Sequence, residues 1–246
     1  MFRLRRHLSA LVFALLFATA LHAQAPAPSA DSPAVISSAG PPCCGVITPE
    51  GHRLTALLDS MDVEHHWLDH KHVDWITGNQ DQPDVYNGPD KSSHSSAFAA
   101  AVGLKLNVYI LRPPDHKLTF LASAQGEWLS SKAAQDAGWT KIADPARAQH
   151  LANLGAFVVV DYISPDPHEP GHIAIIRPSE KTAAQLAKDG PEITQSGAIN
   201  YDDYVAAKVF EHHPGAWPNE VRYYSHPVQW STVPPINATA SSAPTH

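Results

Sequence analysis

The chain has 246 residues, with 17 Lys and Arg against 24 Asp and Glu and a formal net charge of −7. That balance repels phosphate backbones and anionic headgroups, which argues against nucleic acid and membrane surfaces as partners. Its two cysteines are the adjacent pair Cys43 and Cys44, which cannot staple distant segments, so the core has to hold by packing.

In chain order, Met1 to Arg6 carries three arginines and no acid, and Leu8 to Leu21 is almost wholly apolar. A basic start, a short apolar run and small residues at Ala23 and Ala25 predict a signal peptide over 1–25 and a secreted or periplasmic protein. The apolar run is too short to cross a bilayer. Cleavage removes all three arginines and leaves 14 basic against 24 acidic side chains, a net charge of −10, together with 14 of the 16 histidines. Their protonation near pH 6 would cancel most of that charge. Residues 26–45 read as an Ala/Pro/Ser linker and 233–246 as a similar tail, both too poor in apolar residues to order themselves. Residues 46–232 then form one domain.

Within it, Thr48-Pro49-Glu50 is a helix start, followed by Leu54, Leu57, Leu58 and Met61 at helical spacing. His65 to Gly88 is polar, aromatic and rich in turn residues, which predicts loops around one short strand. Ser92 or Ser93 then caps a second helix running to about Leu106, whose Ala97–Ala101 segment is small enough for another element to approach closely. A third helix covers about Leu118 to Ala133. Strands follow at Ala156–Ile163, His172–Ile176, Glu192–Gln195 and Val221–Tyr224. Helices followed by strands on short turns predict an α+β domain with N-terminal helices packed on an antiparallel sheet.

Three short motifs stand in a suggestive order: Ser95-Ser96-Ala97-Phe98 at a helix start, Gly171-His172-Ile173-Ala174-Ile175 on one strand, and Ile193-Thr194-Gln195 on the next. This order resembles the papain-like cell-wall peptidases and amidases of the NlpC and CHAP type, over roughly Asp59 to Tyr224. The resemblance implies a papain-like fold, with Ser95 at the position of the nucleophile, His172 as the base and Gln195 as its orienter. It also implies peptidoglycan or a peptide as the substrate, Tyr86 near the oxyanion site, and no cofactor. Trp75 and Trp128 are candidates to line the cleft, with core packing as the alternative for them and for Tyr86.

The family's nucleophile is cysteine, and this chain has serine. A hydroxyl ionises far less readily than a thiol and needs base help in the transition state, so the site is a disabled one that binds without cleaving, a slow serine hydrolase, or one whose cysteine was deliberately replaced to trap an inactive form. Catalysis requires Ser95 Oγ within about 4 Å of an imidazole nitrogen of His172. Placement of the two on opposite faces of the sheet would exclude the assignment.

Other chemistries have less support. His66 and His70 on a helix, or His70, His72 and Asp74 on a strand, would share a face, but no third ligand is specified and no metal is expected. There is no GxSxG elbow, Gly-rich phosphate loop or CxxC pair.

Overall fold

The computed structural model describes residues 43–236. The expected signal peptide, most of the linker and residues 237–246 lie outside the described residues. The first helix, α1 (Pro49–Ser60), begins where its start signal predicts: Thr48 is extended, its hydroxyl accepts from the Gly51 N–H at 3.2 Å, and Pro49 opens the helix.

The α2 helix (Ser95–Lys105) is buried along every residue from Ser95 to Gly103. Small side chains are what allow this, and at Gly103 a Cβ would stand 2.8 Å from the Val108 carbonyl oxygen. The predicted third helix is broken in two, α3 (Leu121–Leu129) and α4 (Lys132–Asp136), because the Ser131 hydroxyl caps a new start by accepting from the Ala134 N–H.

Six strands form one sheet: β1 (Thr140–Ile142), β2 (Phe157–Tyr162), β3 (His172–Ile176), β4 (Glu192–Gln195), β5 (Tyr201–Val205) and β6 (Arg222–His226). Their order is β1-β6-β2-β3-β4-β5, and every neighbouring pair is antiparallel. The fold is therefore α+β. Both faces of the sheet are covered, however, which explains why β2 and β3 are buried at every position instead of alternating. Phe157, Val159, Ile173, Ile175 and Tyr224 share a core with α1, α2 and α3. Val158, Val160, Ala174, Ile176 and Ile193 share another with α5 (Pro145–Asn153) and α7 (Ala206–Phe210). A short helix, α6 (Ala183–Asp189), precedes β4.

The domain extends beyond both predicted ends. Cys43 and Cys44 form a disulfide, and this segment is docked: the Cys43 N–H donates to the Lys181 carbonyl at 2.9 Å, and the Cys44 carbonyl accepts from His150 Nδ1 at 2.8 Å. At the other end Val233 is buried, and Asn107 Nδ2 donates to the Thr232 carbonyl at 2.9 Å. Polar groups of α5 hold the first segment, whereas Val233 and Ile236 pack the second onto the core beside the Asn107 bond.

Candidate functional site

His172 begins β3, opposite Tyr162 of β2. Its imidazole leaves the sheet on the α5/α7 side, stacked on His213 with centroids 5.1 Å apart and set edge-on to Phe210 at 5.2 Å. Only 4% of the residue is exposed. Burial, with a lesser contribution from His213, pushes its pKa down to about 3, so the ring is neutral at physiological pH.

Gln195 lies on the same side, lining the same cavity as His172 after an irregularity in β4 between Ile193 and Gln195. Its Nε2 donates to the Ile199 carbonyl, which fixes the amide and leaves Oε1 as the acceptor. His172 Nε2 and Gln195 Oε1 are both enclosed and lack any hydrogen bond of strict geometry, yet the amide acts on the ring as a side-chain partner. Both side chains open into the same cavity. The expected base and orienter thus stand together.

Ser95 does not join them. Ala174 packs on the α5/α7 side, and α2 packs with Ile173 and Ile175 on the other. Strand alternation makes the two faces exclusive: whatever admits α2 at Ile173 turns His172 away from it.

No hydrogen bond links Ser95 to His172 among the described residues, and the two open into different cavities. Ser95 lines one of about 330 Å³ with Ser96, Phe120 and Leu121. His172 and Gln195 line another of about 450 Å³ with Ile199, Tyr201, Tyr204 and His213. The cavities meet at Ser93, Pro170 and Gly171, at one end of the sheet. Among the described residues, then, Ser95 and His172 line separate cavities and share no hydrogen bond.

The aromatic candidates lie elsewhere. Tyr86 sits edge-on to His72 at 5.0 Å, Trp75 packs against the α2-side core, and Trp128 sits edge-on to Tyr109 at 5.3 Å. None of the three lines either cavity. The wall of the His172 cavity is instead made by Tyr201 and Tyr204, stacked at 4.2 Å, on a strand the periodicity missed. The pair His212-His213, close to a Pro-Gly turn, was the available signal for the other wall.

The Ser92 and Ser93 caps are not used either. His94 is the N-cap of α2 and makes no side-chain cap bond; its Nε2 pairs with the Lys71 carbonyl at 2.8 Å. In the histidine-rich stretch, His65 pairs with Asp62 and His72 with Asp81. Among the described residues no group of three or more His, Cys, Asp or Glu is disposed to hold a metal ion. No protein-family model matches the chain, and no curated protein is significantly similar to it.

Proposed function

We propose that this chain is an exported, non-catalytic module that binds peptides, with cell-wall peptides as the ligand class, in the paired cavities at the end of the sheet. The observation that carries the reading is the separation of Ser95 from His172. A hydroxyl nucleophile needs a base within hydrogen-bond reach, and here the two line different cavities with no bond between them. The His172 cavity supports recognition: stacked Tyr201 and Tyr204 and the exposed Ile199 offer apolar surface, while the imidazole of His172 and the Lys208–Glu211 pair supply polar groups. The order of helix, histidine strand and glutamine strand supports descent from a papain-like scaffold, with the chemistry lost.

The test incubates the protein with purified peptidoglycan and reads both co-sedimentation and release of new amino groups. Binding without amine release is expected, with binding weakened by Tyr204→Ala. Amine release that disappears in both Ser95→Ala and His172→Ala would overturn the reading in favour of a serine hydrolase.

A further inference from the structure

The cavity on the Ser95 side has a chemical character of its own. The backbone N–H groups of Ser95, Ser96 and Ala97 have no acceptor among the described residues, because the 11-residue α2 starts without a side-chain cap. Ser95 and Ser96 are only 4% and 8% exposed, both line the cavity, and neither hydroxyl has a hydrogen-bond partner among the described residues. Five unpaired donors, three of them at the positive end of a helix, therefore belong to residues that line one cavity. At the cavity rim, Phe120, the N-cap of α3, is half-exposed and also lacks a side-chain cap bond.

The remaining walls set the charge of what fits. No Lys or Arg lines this cavity. Asp90 does, with its Oδ1 accepting from Thr119 Oγ1 at 2.9 Å, and so does His94, whose imidazole pKa burial lowers. A dianionic phosphate calls for cationic partners that this cavity does not offer, and Asp90 repels its double charge more strongly than a single one. A singly charged, planar carboxylate needs only the donors present. The shared border at Ser93, Pro170 and Gly171 leads from this cavity directly to the one walled by Tyr201 and Tyr204.

We propose that the start of α2 holds the terminal carboxylate of a peptide whose preceding residues cross Pro170–Gly171 into the His172 cavity. This rests on the peptide-binding reading above and gives it a direction: the module captures free chain ends, such as those left when a peptide bond has been cleaved, and not uninterrupted chains. The donors that a hydrolase would aim at a transient oxyanion hold a stable one here.

The experiment is calorimetric titration of the full chain with N-acetyl-alanyl-alanine and with the same dipeptide as its C-terminal amide, with inorganic phosphate as a competitor. The free acid should bind at least about tenfold more tightly than the amide, the scale of a charge-assisted hydrogen bond. Ser95→Ala should weaken the acid by about tenfold. Ser95→Asp should abolish its binding by placing a carboxylate on the same donors, while the melting temperature stays at or above that of the native protein, because an acid in the first turn favours a helix.

Equal affinity for acid and amide, or undiminished acid binding by Ser95→Asp, would overturn the carboxylate site and leave peptide binding standing. Displacement by phosphate at concentrations comparable to the acid would also overturn it, in favour of a general anion site. Failure of both dipeptides to bind, together with Ser95-dependent amine release from peptidoglycan, would overturn the underlying reading as well.

Discussion

Replacing His172 by Gln should change the pH dependence of stability by a predictable amount. The imidazole is enclosed by Phe210, His213 and Gln195, and its pKa falls from 6.5 in the open chain to about 3 in the fold. Between those values the unfolded chain binds a proton that the folded one refuses, so stability is fully present above pH 6.5 and is lost as pH falls toward 3. Each pH unit in that window costs about 1.4 kcal/mol, so pH 4 removes about 3 kcal/mol, a large share of the roughly 5–15 kcal/mol typical of a domain.

Two acids, one buried and one half-buried, act in the opposite sense. Asp161 and Glu192 are each pushed up to about 7, mainly by burial, so they favour the folded state as pH falls through 7 toward their open-chain values. Both acids are present in native and variant proteins and cancel in the comparison. Urea unfolding followed by tryptophan fluorescence at pH 7 and pH 4 should therefore show the native protein losing about 3 kcal/mol more than His172→Gln. Parallel losses, within about 0.5 kcal/mol, would mean that His172 does not titrate in an enclosed site and would refute the burial on which the non-catalytic reading draws.

Three further outcomes are expected. Gly126→Ala would place a Cβ 2.5 Å from both carboxylate oxygens of Asp161, a fully buried side chain bonded to Arg222 at 2.9 Å. It should lower stability by about 2 kcal/mol or more despite the better helix propensity of alanine, and an unchanged melting temperature would contradict this packing. Asn153→Ala strands the carbonyls of Gly45 and Ser179, to which its Nδ2 donates, and leaves the Cys44 carbonyl with His150 alone; a cost of about 2–4 kcal/mol and faster proteolysis before Thr48 are expected, and limited digestion followed by mass spectrometry reads both the rate and the site. Ser95→Cys should react with iodoacetamide somewhat faster than free cysteine because of the helix end, at a rate that His172→Ala in the same background leaves unchanged. A drop of tenfold or more in that double variant would show that the imidazole does reach position 95.

Much of the fold was legible along the chain because its signals are local. Thr48-Pro49 set the start of α1, and the apolar runs gave β3 and β4 with the same bounds as observed. Other local signals went unused: Asp144-Pro145 caps α5, and Thr182 with Gln185 forms the capping box of α6. β5 was not legible, since Tyr-Asp-Asp-Tyr-Val has no clean alternation and is a strand only because β4 offers it an edge.

Residue types alone determined that a serine-rich helix start, a base and an amide partner would exist, in that order along the chain. Only the tertiary structure decided their grouping. Period two fixes that His172 and Ile173 point to opposite faces, but which face receives α2 depends on how side-chain volumes fill two separate cores. Ile173 and Ile175 won α2, Ala174 and Ile176 went to the α5/α7 side, and that choice set Gln195 beside His172 and left Ser95 in another cavity.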